Sequence, residues 1–297
     1  MRAENCLFTF STISLRLIIP VSCILAACNP WKELPAESPV TFAVFDVGEG
    51  LAQSVVSGNK AVLFDMGPSD GYEKWHGQFT ALGGPLIEAI VLSHTHLDHY
   101  GGLQQIDSGI AWTGLVIVSP YEDTAFIRSC TPQWRDRIRF RAVAAHDTLA
   151  LLDDVELRCL WPPDSSGDSL FTVDSLMNRL SMVFLVSKGL TRALITSDID
   201  TCAEHELSLR EGHGLAADLM VVPHHGSAGS LDRVFYGHVR PQTAVISYGA
   251  GNSYGHPSQN VLLWLSQMGT TVKLTALDGC VIVESNGYQW SLSDILN

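Results

Sequence analysis

The sequence predicts an α/β fold in which two β-sheets pack on each other with helices outside. From residue 40 onward, short runs rich in Val, Ile, Leu and Phe recur between clusters of Gly, Pro, Asp and Ser. That is the pattern of short strands separated by turns. The runs fall into two groups, each with helical segments, and two sheets covered by helices is the layered solution that buries them.

In order, the strand segments are VTFAVFDV (40–47), LAQSVVS (51–57) and KAVLFDMG (60–67), the last stopped by Asp65 and Gly67. IEAIVLS (87–93) and GLVIVS (114–119) follow, and then a looser middle. After it come VELRCLW (155–161), SMVFLVS (181–187), TRALITS (191–197), DLMVVP (218–223), QTAVISYG (242–249) and GCVIVES (279–285). Helices are expected near Asp200–Glu211 and Ser258–Met268. No repeat of fixed period and no low-complexity tract is present.

The amino terminus reads differently. Arg2 and Arg16 precede an apolar stretch that ends in LAAC at Cys28. A positive start, a short apolar core and small residues before a cysteine are expected of a lipoprotein signal peptide over 1–27, with Cys28 lipidated. An ordinary cleaved signal or a short anchor is the plain alternative. The Pro-rich NPWKELPAESP that follows fits a tether over 28–39, leaving one folded domain over 40–297. The expected location is the bacterial cell envelope, with the membrane as a partner through the lipid anchor.

With 297 residues, 46% hydrophobic and 16% charged, the composition is that of an ordinary globular protein. The formal charge of −13 argues against a broad basic phosphate-binding surface, so metal ions would have to supply positive field for any nucleic acid. Beyond Cys28 the mature chain has Cys130, Cys159, Cys202 and Cys280, with no CxxC spacing, so a structural zinc site is not expected. An envelope location permits disulfides, but the scatter implies no pairing, and buried free thiols are the plain alternative.

The chemistry concentrates in SHTHLDH (93–99), directly after a strand. His94 and His96 are two apart and face the same way on extended chain. A turn after His96 brings Asp98 and His99 to a neighbouring point, and the glycines of the following YGG permit close backbone approach. Imidazole with carboxylate suits zinc, and also manganese or iron. A polar loop is the bland reading, but four ligand-type residues in six positions outweigh it. More donors stand at later strand ends: Asp198 after ALITS, His224 and His225 in VPHHGS, and His256 in NSYGHP. Taken singly, these would be a helix cap, a structural histidine pair and a loop histidine.

The ordered set FDVGEG (45–50), LFDMG (63–67), SHTHLDH, NRLSMVFLV (178–186), ALITSDID (193–200), VPHHGS (222–227) and NSYGHP (252–257) resembles the metallo-β-lactamase superfamily. Within it, PHHGS together with YGHP resembles the hydrolase domain of the ComEC-type competence proteins. The resemblance covers roughly residues 40–285. It implies an αββα four-layer sandwich with its site at one edge of the sheets. It implies two divalent ions, zinc or manganese, held by His94, His96, Asp98, His99 and Asp198, with Asp198 bridging. One of His224 and His225, with His224 narrowly preferred, would complete the second site. Asp65 would support the ligand loop from behind. Asn178 stands where many relatives carry a third histidine, and His256 would contact substrate or leaving group. Two departures, Glu49 in DVGEG and Ser197 before Asp198, remove no ligand.

Two metals about 3.5–4 Å apart activate a water and clamp both oxygens of a displacement. The expected activity is therefore a phosphodiesterase or nuclease using metal-bound hydroxide, with Asp98, Asp198 and His256 catalytic and DNA among the phosphodiester substrates. Amide or ester hydrolysis of the β-lactamase kind is the rival enzyme reading, weakened by Asn178. A non-catalytic binding lipoprotein is the rival from another class. Backbone amides near Gly226 and Ser227 are candidates for an anion nest, with a tight turn as the equal alternative. Five arginines over 127–141 (Arg128, Arg135, Arg137, Arg139, Arg141) would flank the site or, preferably, form a solvated face.

Overall fold

The computed structural model describes residues 39–164 and 174–293, so the expected signal peptide, Cys28 and nearly all of the expected tether lie outside the described residues. The chain first lays down β1 (Val40–Val44), β2 (Ala52–Ser57), β3 (Lys60–Met66), β4 (Leu86–Leu92), β5 (Leu115–Val118) and β6 (Arg139–Ala142). It then builds a second sheet from β7 (Thr148–Leu152), β8 (Val155–Trp161), β9 (Val183–Lys188), β10 (Thr191–Ile195), β11 (Leu219–Val221), β12 (Thr243–Ile246) and β13 (Thr271–Leu274). Finally β14 (Val281–Ser285) and β15 (Trp290–Ser293) return to the first sheet. The sheet orders are β15-β14-β1-β2-β3-β4-β5-β6 and β13-β12-β11-β10-β9-β8-β7.

Alternate residues of these strands go to different cores, which is why the runs are apolar without interruption. Val62 and Phe64 of β3 point between the sheets, as do Phe184 and Val186 of β9 and Ala193 and Ile195 of β10. The Phe64 and Phe184 rings meet edge-on at 5.4 Å, a direct contact between the two sheets. Leu63 and Met66 point outward to Trp75 and Phe79 of α1 (Tyr72–Ala81). Behind the second sheet, Val183 and Leu194 meet Leu207 of α5 (Thr201–Glu211), Tyr236 of α6 (Arg233–Val239) and Leu265 of α7 (Gln259–Gln267). Three apolar layers between four structural layers make the αββα sandwich. The shorter helices, in chain order among these, are α2 (Leu97–Tyr100), α3 (Thr124–Ser129), α4 (Asp174–Arg179) and α8 (Thr275–Asp278).

Strands β6, β7, β13 and β15 and helices α1, α3 and α6 lie outside the segments read from sequence. All four strands lie at sheet edges, and β6, β13 and β15 carry polar or charged residues with little burial, as in RFRA and WSLS. Helix α1 starts at Gly71 without a capping side chain, which removes the usual signal. Cys130, Cys159, Cys202 and Cys280 are free thiols. No helix among the described residues is long and apolar enough to cross a membrane.

Candidate metal centre

β3 to β6 run parallel, as do β10 to β13, so both sheets send a set of carboxyl-terminal strand ends to one edge. Open α/β sheets present their functional groups at such ends. Asp65 lies at the end of β3, Ser93 and His94 follow β4, Asp198 follows β10, His224 and His225 follow β11, and Ser247 follows β12.

The histidine loop leaves β4 extended and turns into α2 after His96, as its spacing requires. Gly101 and Gly102 then run against Met66, Pro68 and Ser69, leaving no room for a side chain. Asp65, 1% exposed, anchors the loop. Its carboxylate accepts the Ser93 amide at 2.8 Å, the Ser93 hydroxyl at 2.7 Å and His99 Nδ1–H at 2.8 Å. Because Ser93 Oγ donates to Asp65, it accepts from His94 Nδ1–H at 3.0 Å. Both histidines therefore turn Nε2 toward the centre, the nitrogen that would ligate a metal.

The second sheet supplies the rest. The Asp198 amide donates to Ser181 Oγ at 3.1 Å, and Ser181 Oγ donates to the Asn178 carbonyl at 2.8 Å. His225 Nδ1–H donates to the Ser247 carbonyl at 2.9 Å, leaving its Nε2 inward. Around that point His99 Nε2 lies 3.2 Å from Asp198 Oδ2, and His225 Nε2 lies 3.4 Å from Asp98 and 3.6 Å from Asp198. Asp98, His99, Asp198 and His225 thus offer four donor atoms within 4.8 Å of one another. Beside them His94 Nε2 and His96 Nδ1 approach to 3.0 Å. Two nitrogens on one tetrahedral zinc are separated by roughly 3.3 Å, from bonds of about 2.0–2.1 Å.

The structure sets His224 and His225 apart. His224 and His225 both have left-handed backbone, with φ of 48° and 54°, and this turns their rings apart. His225 enters the four-donor cluster. His224 Nε2 instead lies 3.4 Å from Asn178 Nδ2 and 3.8 Å from Asp198 Oδ2. Of the two even readings of HGS, the tight turn has the direct support, because the Ser227 amide is spent on the His224 carbonyl at 2.8 Å. Gly226 is needed there because a β-carbon would stand 2.8 Å from Pro257, whose close approach seats the His256 loop.

Charge in the centre favours a cation. Burial lowers the pKa of His99, but Asp198, Asp65 and Asp98 outweigh it and hold the imidazole well above its ordinary value. Burial acts to raise Asp98 and Asp198, yet His99 and His225 pull both well below the carboxylate range. His94, fully buried, is driven well below its ordinary value by desolvation and then by His99. The donor set also passes a direct test of fit. His99 Nε2, His225 Nε2 and Asp198 Oδ1 are buried without a hydrogen-bond partner, which native proteins rarely tolerate. All three belong to the cluster that would ligate an ion.

At the rim, the His256 ring lies 5.7 Å from that of His224 and 6.3 Å from that of His225, close enough to face a ligand over the centre. Its loop is folded around Asn252, whose amide donates to the Gly249 and His256 carbonyls and whose Oδ1 accepts the Tyr254 and His256 amides. Of the five arginines, Arg135, Arg137, Arg139 and Arg141 are exposed. Arg137 stacks on Trp134 at 4.2 Å and Arg128 on Phe140 at 5.1 Å.

Sequence reasoning saw Ser197 only as a departure from the family's pattern, and it missed Ser93, Ser181, Ser247, Asn252 and Glu122. Only Ser93 and Asn252 carried a sequence signal, standing one and four residues before a singled-out histidine. Glu122 accepts from Thr95 Oγ1 at 2.9 Å, between the first two ligands, and burial pushes its carboxyl up to about 7.

Comparison with known proteins agrees with this geometry. The metallo-β-lactamase superfamily model matches residues 49–125, the stretch that contains the histidine loop. Competence protein ComA of Neisseria gonorrhoeae is 29% identical over 251 residues, covering 84% of this chain and 33% of that protein. ComE operon protein 3 of Bacillus subtilis is 26% identical over 262 residues, covering 80% of this chain and 32% of that protein. The chain spans about a third of the length of these curated relatives. Among solved structures, the metallo-β-lactamase fold protein YhfI from Bacillus subtilis superposes with a TM-score of 0.54 at 14% identity, covering 83% of this chain and 100% of that one. The chain has the metallo-β-lactamase fold, carries a candidate metal site at its expected edge, and resembles the ComEC-type competence proteins.

Proposed function

We propose that this chain is a metal-dependent hydrolase of phosphodiesters, with DNA as the leading substrate class and two divalent ions, zinc or manganese, as cofactors. His94, His96 and Asp198 would hold one ion, and Asp98, His99, His225 and Asp198 the other. The observation that carries the reading is the four-donor cluster with orphaned buried atoms, directly beside the His94–His96 pair. Resemblance to competence proteins supports a phosphodiester rather than an amide. We place the chain at the bacterial cell envelope, held by a lipid on Cys28.

Divalent ions in such a centre acidify water and neutralise charge on a phosphoryl oxygen. The protein's own residues orient and insulate. Asp65 fixes the rings of His94, through Ser93, and His99, so that neither reorients during a reaction. His256 is held below its ordinary pKa by burial, then by His225 and His224. From the rim its imidazole would donate a hydrogen bond to a phosphate oxygen or a proton to the leaving oxygen.

The test is an assay of the full chain with Mn²⁺ or Zn²⁺ on single-stranded DNA, bis-p-nitrophenyl phosphate and nitrocefin together. Turnover of both phosphodiesters is expected, and Asp198→Ala should abolish it. Hydrolysis of nitrocefin alone would reject the phosphodiester reading in favour of an amide hydrolase. Metal binding without any turnover would point to a binding protein. Cys28→Ser should release the chain from the membrane fraction.

A further inference from the structure

Seven described residues other than glycine have positive φ, and four of them, Asp65, Ser197, His224 and His225, belong to the metal centre. Strained backbone gathers where function over-determines it. Asp and His visit this region more readily than most side chains, but serine has no such leaning. Ser197 nonetheless stands at φ 46°, where glycine would sit without strain.

Its contacts explain the choice of side chain. Ser197 is 1% exposed, and its hydroxyl donates to Ser93 Oγ at 2.7 Å and lies 3.4 Å from Asp65 Oδ2. These are the two residues that orient His94 and His99 on the first sheet. The Ser197 carbonyl accepts the His224 amide at 2.9 Å, and the next residue in the chain is Asp198. One residue on the second sheet thus grips the anchor of the first sheet's ligands while carrying the shared carboxylate.

We propose that Ser197 is a positioning residue whose hydroxyl sets the spacing between Asp198 and the histidine loop, and that its strained backbone is tolerated for that bond. The proposal rests on the metal-centre reading above. It predicts that stability and metal affinity separate at this position. Ser197→Gly removes both hydroxyl and strain, whereas Ser197→Ala removes the hydroxyl and keeps the strain.

The experiment measures metal-free melting temperature and Zn²⁺ affinity by chelator competition, with Co²⁺ absorption as a spectroscopic check, on the full chain and both variants. Ser197→Gly should melt at or above the parent temperature yet bind Zn²⁺ about 10–100-fold more weakly, as outer partners of ligands do. Ser197→Ala should bind equally weakly and melt below Ser197→Gly, and both should alter the Co²⁺ spectrum. A glycine variant that binds Zn²⁺ as tightly as the parent overturns the proposal. One that loses melting temperature along with affinity makes Ser197 a packing residue and overturns it as well. If the parent itself binds neither Zn²⁺ nor Co²⁺, the metal-centre reading fails and this assignment falls with it.

Discussion

The two sides of the metal centre are built on opposite plans. On the first sheet, four donors sit within six residues, and one buried carboxylate, Asp65, holds two of them, His99 directly and His94 through Ser93. On the second sheet the donors come from separate strand ends, held by bonds to backbone groups and by left-handed backbone at Ser197, His224 and His225. The first plan concentrates dependence on one residue. The second spreads it, so each residue there has a narrower effect.

The largest expected effect is on the concentrated side. Asp65→Asn replaces the acceptor of His99 Nδ1–H and the Ser93 hydroxyl with an amide, and should weaken metal binding by about 100-fold, the upper end for outer partners. Chelator competition measures it, and a loss below threefold would show that the loop holds itself. Within the second sheet, His225→Ala should lower metal affinity at least tenfold while His224→Ala changes it less than about threefold, because only His225 lies in the four-donor cluster. Equal losses from both variants would make the histidine pair one unit. Asn252→Ala frees the loop that carries His256 without touching a donor. Turnover should fall about tenfold with metal affinity unchanged, and a matching fall in affinity would tie that loop to the ions instead.

The smallest effect concerns pH. Glu122 is raised from an ordinary carboxylate to about 7, chiefly by burial. A group raised in the folded state contributes stability that is present below its unfolded pKa and lost as pH rises through the folded value. The parent should lose stability between about pH 4.5 and 7, by less than about 3 kcal/mol for a half-buried group. Glu122→Gln should flatten that window in urea titrations, and an unchanged slope would place the carboxyl in water.

How much was legible in the sequence follows the same division. Interior strands such as VFLVSK bury both faces and announce themselves as apolar runs, while the edge strands RFRA, TVKL and WSLS hide behind polar residues. The histidine loop was legible because its donors are neighbours. The choice between His224 and His225 was not, because left-handed backbone decides which ring turns inward. Ser197 was visible as a departure from the family's pattern, but its hydroxyl bonds partners 104 and 132 residues away, and no local pattern points there.

The strand order also bears on how the molecule comes into being. β1 lies inside the first sheet, flanked by β2 and by β14, with Val40 opposite Ser285. Half of its backbone valences stay open while the whole second sheet is made. Such long-range pairing slows folding and leaves an adhesive strand edge exposed in the meantime. During biosynthesis the first sheet is therefore an unfinished surface until a segment some 240 residues downstream arrives to close it.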